Sequence, residues 1–142
     1  MSYKKLSSIG AEQFSYSEKF EIKVPEILTK SDRDEFLSSY TICVIDVYAT
    51  WCGPCKITAP QYTELFKNYN LAGVVGLAKE NVELNLSPNV QVIPTFLFYV
   101  NKNLQDVVVG ADMKMIENKL IELIKQFGKL DKPLNSDKKE RD

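Results

Sequence analysis

The segment Ile42-Cys43-Val44-Ile45-Asp46-Val47-Tyr48-Ala49 is nearly continuous apolar sequence, rich in β-branched residues. Such a run is the signature of a central strand covered on both faces, so the fold must supply packing layers above and below a sheet. Directly after it come Trp51-Cys52-Gly53-Pro54-Cys55-Lys56, then Ile57, Tyr62, Leu65, Phe66 and Tyr69 at helical spacing as far as Asn70. A buried strand that passes into a helix through two cysteines narrows both the fold and the chemistry. Pro60 falls inside the helical stretch, and a kink is expected there.

The rest of the chain supplies the other layers. Phe14, Tyr16, Phe20, Ile22 and Val24 alternate with mostly polar residues, which predicts one half-buried strand or two short ones before Pro25. Ser31 to Tyr40 suits a short helix capped near Ser31 or Asp32. Val74 to Ala78, extending toward Glu83, reads as a strand, and Ser87-Pro88-Asn89 as a turn or helix stop. Thr95 to Val100, the turn Asn101-Lys102-Asn103 and Leu104 to Val109 form a hairpin. Asp112 caps an amphipathic helix with Met113, Ile116, Leu120, Leu123, Ile124 and Phe127 on one stripe and Gly128 at its end. The order strand, helix, strand, helix, three strands, helix predicts an α/β class with a mixed sheet flanked by helices.

Composition removes several alternatives. A chain of 142 residues that is 44% hydrophobic suits one domain with a single core. Lysine plus arginine total 18 against 19 aspartate plus glutamate, which gives no footprint for nucleic acid. There is no histidine, so Ser-His-Asp and Cys-His catalysis are excluded. The three cysteines cannot complete a four-ligand zinc cage within one chain, and their odd number does not suit a disulfide-stapled secreted scaffold. The longest apolar run, Phe96 to Val100, is far too short to span a bilayer. Residues 1–24 have neither an apolar signal core nor the arginine-rich composition of a presequence, so a cytoplasmic location is expected.

A CxxC pair often supplies half of a zinc site, but here the other half is missing. The redox reading needs only what is present. A thiol at the start of the helix faces unpaired N–H groups and the positive end of the helix dipole, which stabilise thiolate, so Cys52 reads as the nucleophile. Cys55, about one turn later and turned inward, reads as the resolving cysteine. Cys52 would attack a target disulfide and Cys55 would then attack the mixed disulfide, leaving Cys52–Cys55 oxidised and the target reduced. Cys43 has the opposite strand parity to Asp46 and reads as a small buried hydrophobe.

The Trp51–Lys56 motif closely resembles the active site of the thioredoxin family, and other positions extend the likeness. Asp46 stands where the family has a buried acid beneath the active site, and Pro60 where a proline kinks the active-site helix. Ile93-Pro94-Thr95 matches the loop with a cis-proline facing the disulfide, and Gly110 matches a glycine beside the substrate groove. The likeness runs from about Ile42 to Phe127. It implies a thioredoxin fold and a dithiol-disulfide oxidoreductase that maintains cell redox homeostasis. The implied system has no bound cofactor or metal, and electrons come from NADPH through thioredoxin reductase. Oxidised proteins are the implied substrates, and the chain is expected to be a monomer.

The same resemblance assigns roles. Asp46 becomes the proton acceptor for the buried Cys55 thiol, a role that an acid in an apolar strand can fill chemically. Trp51, Gly53, Pro54, Ile93, Pro94 and Gly110 become a docking surface on which an extended substrate adds as a strand. Gly53-Pro54 offers no cation to stabilise the thiolate, unlike the histidine found there in disulfide isomerases, and the two classes differ by roughly 4 kcal/mol in the direction of reduction. Lys79 resembles a family lysine that influences the buried acid; an ungapped alignment instead leaves it solvated at a strand end. Lys56 is open to reading as a simple solvated charge.

The domain is expected to span residues 21–128, with an N-terminal extension over 1–20 and a charged, disordered tail over 129–142. These additions support an alternative: a thioredoxin-fold interaction protein anchored in a larger assembly through its termini.

Overall fold

A computed structural model describes residues 22–129. The chain order is β1 (Glu26–Ile27), α1 (Lys30–Ser39), β2 (Ile42–Tyr48), α2 (Gly53–Tyr69), β3 (Val75–Asn81), a single 3-10 turn (Val82–Leu84), β4 (Thr95–Val100), β5 (Asn103–Val109) and α3 (Met113–Phe127). The five strands form one sheet in the order β1-β3-β2-β4-β5. β3 runs parallel to both β1 and β2, whereas β4 is antiparallel to β2 and β5. This is the mixed sheet that the element order predicts.

β2 is central for the reason its sequence gives. Ile42 to Val47 are all buried, and their parity divides them between two cores. Ile42 and Val44 join Tyr62, Leu65, Phe96, Ile116 and Leu120 on one face. Cys43, Ile45 and Val47 join Ile27, Leu37, Ala78 and Leu97 on the other. Asp46 therefore points with Ile42 and Val44 toward the α2 side, near the end of the strand that leads into the cysteines.

Local chemistry sets the boundaries. The helix α2 buries Cys55, Thr58, Tyr62 and Leu65 on one stripe and continues through Pro60 as one helix. Asn101 and Lys102 adopt positive φ values of 51° and 71°, the geometry of a two-residue hairpin turn that matches strand twist. Asp112 Oδ1 accepts the Met115 amide and caps α3 as expected. Ser87 to Val90 closes as a turn, with the Val90 amide on the Ser87 carbonyl.

Three expectations need correction. The first described strand is Glu26–Ile27, after Pro25 rather than before it. Ile22 and Val24 are not in a strand, and Phe14, Tyr16 and Phe20 lie outside the described residues, as does all of the tail beyond Lys129. The cap of α1 is Thr29, whose hydroxyl accepts the Asp32 amide, while Asp32 Oδ2 turns back to accept from the Leu28 amide. These two bonds, one to the cap residue and one to the residue before it, move the helix start upstream of Ser31. β3 ends at Asn81, where the Asn81 side chain accepts from the Glu83 amide and starts the 3-10 turn.

Candidate active site

Cys52 is the N-cap of α2, and its sulfur accepts the Cys55 amide at 3.2 Å. The two cysteines are joined as a disulfide across a Cα–Cα distance of 5.2 Å. The pair is nearly covered, packing with Ala49 and against Tyr48, Val82 and Ile93. Trp51, Gly53 and Pro54 form an exposed rim beside it, and the Trp51 Nε1 donates to Glu83 Oε2 at 2.8 Å. The Ile93–Pro94 peptide is cis. Gly110, at φ +99°, donates its amide to the Pro94 carbonyl at 2.8 Å, so the end of β5 is tied to the entry of β4.

Behind the disulfide lies a cleft of about 250 Å³ whose lining includes Cys55, Asp46, Lys79, Tyr48, Lys56 and Tyr62. Asp46 is only 5% exposed, and its Oδ1 has no hydrogen-bond partner. Burial pushes its carboxyl up to about 7; the Lys79 charge opposes the rise and the Glu26 charge adds to it. Lys79 pairs in register with Asp46 across β2 and β3. Its ammonium forms an ion pair with Glu26 Oε1 at 3.9 Å, and no ion pair joins it to Asp46. Lys79 thus lies inside β3 rather than at its end and lines the cleft, with its side chain still partly exposed. Cys43 sits on the opposite sheet face among apolar neighbours, where burial raises its thiol to about 12.

The thioredoxin family model matches residues 24–126. The chain belongs to the thioredoxin family. Among its curated relatives, Thioredoxin-T of Drosophila melanogaster is 38% identical over 61% of this chain, which spans 57% of that longer protein. Thioredoxin 1 of Plasmodium falciparum is 29% identical over 71% of this chain and 94% of its own length. The solved structure of Plasmodium falciparum thioredoxin superposes with a TM-score of 0.64 at 27% identity, covering 70% of this chain and 98% of that one. As a thioredoxin-family member with a paired Cys52 and Cys55, the chain is a protein-disulfide oxidoreductase with a thioredoxin fold.

The thioredoxin site divides into two groups. Cys52, Cys55 and Ile93 pack together beside the exposed rim, whereas Asp46 and Lys79 line the cleft behind, to which Cys55 contributes and Cys52 does not. Sequence reasoning missed Glu26, Tyr48 and Tyr62. The Tyr48 hydroxyl donates to Glu26 Oε2. The Tyr62 hydroxyl lies 2.9 Å from the Ala78 carbonyl and 3.1 Å from that of Val44, and its burial raises its pKa. Two of these carried a signal: Tyr48 shares strand parity with Asp46, and Tyr62, seven residues after Cys55, shares its helix face. Glu26 carried none, because β1 is too short to show a period. Among the described residues no group of three or more cysteine or carboxylate side chains is gathered to hold a metal ion.

Proposed function

We propose that this thioredoxin works as a reductant of protein disulfides, with Cys52 as the attacking sulfur, Cys55 as the resolving one and Asp46 as the proton acceptor. The observation that carries this reading is the asymmetry of the pair: Cys52 caps α2 and accepts an amide, whereas Cys55 lines the Asp46 cleft. A thiolate at Cys52 is stabilised by that amide and by the helix terminus. It attacks one sulfur of the target disulfide, forming a mixed disulfide and releasing the other sulfur as a thiolate. Cys55 gives its proton to Asp46 and attacks the Cys52 sulfur, which breaks the mixed disulfide and releases the second target thiolate. The target gains two electrons, and Cys52–Cys55 carries the oxidation.

Substrate docking falls to Trp51, Gly53, Pro54, Ile93, Pro94 and Gly110. Trp51, Gly53 and Pro54 are exposed, Ile93 is half-buried against the disulfide, and the buried Pro94 accepts the Gly110 amide; this arrangement supports a short extended segment being held there. Pro54 adds no positive charge to the thiolate, which favours the reducing direction. Electrons come from NADPH through a thioredoxin reductase, and the targets are oxidised proteins. The reading includes a monomer of one domain over residues 21–128, serving redox homeostasis and electron transport in the cytoplasm. Mixing the oxidised protein with a thioredoxin reductase and NADPH tests it. NADPH is oxidised until Cys52–Cys55 is reduced and continuously once insulin is added; no NADPH consumption in either case overturns the reading.

A further inference from the structure

Three charged side chains stand in one row across the sheet. Glu26 of β1 is the register partner of Lys79 in β3, and Lys79 is the register partner of Asp46 in β2. Register partners project to the same face and adjacent strands lie about 4.8 Å apart, so the central ammonium has a carboxylate on either side. It is paired with the outer one. Lys79 Nζ stands 3.9 Å from Glu26 Oε1, with side-chain exposures of 37% and 32%. Asp46, by contrast, is buried with Oδ1 unpartnered. Pairing Lys79 with Asp46 would take the ammonium out of water, whereas pairing with Glu26 leaves it hydrated. Tyr48 reinforces the outer arrangement, since its hydroxyl donates to Glu26 Oε2 and its ring centroid is 5.6 Å from Lys79 Nζ.

We propose that Glu26 is a positioning residue for disulfide reduction: it holds the Lys79 ammonium on the solvent side of the row and so keeps Asp46 a stronger base for the Cys55 proton. The proposal rests on Asp46 being the proton acceptor. Glu26 touches neither sulfur and acts through Lys79. The other titratable or charged groups of the cleft are Tyr48 on β2 and Cys55, Lys56 and Tyr62 on α2. Of these, Tyr48 alone bonds to Glu26, through its hydroxyl. With the Glu26 charge removed, Asp46 is the one carboxylate left in the row for Lys79, and closer approach of an ammonium lowers a carboxyl pKa.

The test uses the full chain with Glu26→Gln, which keeps an acceptor for the Tyr48 hydroxyl, and follows the Asp46 carboxyl by NMR titration. Glu26→Gln is expected to lower the Asp46 pKa by about one unit, and the pH midpoint of mixed-disulfide resolution to fall by the same amount. In a Lys79→Gln background the same substitution is expected to shift Asp46 less than half as far. An unchanged Asp46 pKa, or an equal shift in both backgrounds, overturns the proposal, because Glu26 would then not act through Lys79. Failure of the underlying reading looks different: Asp46→Asn would leave the resolution rate unchanged even though Glu26→Gln still moved the Asp46 titration.

Discussion

The Cys55 amide points at the Cys52 sulfur from 3.2 Å, making one active-site cysteine the cap of the helix that carries the other. An N-cap acceptor gains from negative charge, so the two thiols of the reduced protein should separate in acidity. Cys52 is expected to titrate at least one unit below the ordinary thiol value of about 8.5 and Cys55 above it. Thiolate absorbance against pH in Cys55→Ser and Cys52→Ser variants reads the two separately. Indistinguishable curves would remove the physical basis for assigning their roles.

Asp46 makes stability depend on pH in an unusual direction. Its carboxyl rises from 3.8 to about 7 on folding, with burial the largest cause. Below pH 3.8 folded and unfolded chains both hold the proton, and folding carries no penalty. As pH rises toward 7 the unfolded chain releases it first, so stability is lost across that window and stays lower above it. Asp46→Asn is therefore expected to stabilise the oxidised protein by up to roughly 4 kcal/mol at pH 8 and by almost nothing near pH 3.5. Denaturant unfolding at the two pH values checks this; a gain independent of pH would point to packing instead.

The same variant tests the proton-acceptor role. Mixed-disulfide formation needs only the Cys52 thiolate, whereas its resolution needs the Cys55 proton removed. Asp46→Asn is expected to slow resolution at pH 7 by about a hundredfold, the lower end of the usual range for a lost general base, and formation much less. Stopped-flow traces that show equal slowing of both steps would contradict the assignment.

On the opposite face of the sheet, Glu80 is fully buried and its Oε1 meets Arg33 Nε at 3.3 Å. Arg33 Nη2 also donates to the Tyr99 hydroxyl at 2.6 Å, which joins α1, β3 and β4. Arg33→Ala would leave a buried carboxylate without its partner and is expected to cost about 3 to 5 kcal/mol. A loss under about 1 kcal/mol in chemical denaturation would mean that water reaches Glu80 freely.

What was legible in the sequence follows from how locally each feature is determined. β2, the β4–β5 hairpin and α3 could be read because their residues carry their own period, turn or cap: the Asn101-Lys102 turn and Asp112 are specified within a few positions. Cys52 and Cys55 could be read because their chemistry depends on a helix start that lies in the same segment. β1 could not, because two residues cannot show alternation and its place is fixed by pairing with Lys79 and Glu80, more than fifty positions later. The surroundings of Asp46 were hidden for the same reason. Its own burial followed from the strand, but Glu26, Lys79 and Tyr62 reach it only through sheet register and helix packing. Thr29 displaced Ser31 and Asp32 as the α1 cap through a choice among three oxygen-bearing side chains within four positions that composition alone does not decide.

The central claim is that Cys52 and Cys55 together reduce disulfides in other proteins. Its most direct test is the rate of insulin precipitation with dithiothreitol as the electron source, comparing wild type with Cys52→Ser and Cys55→Ser. Wild type should accelerate precipitation well above the uncatalysed rate while both variants remain at it. A wild-type rate no faster than that of either variant would contradict the account.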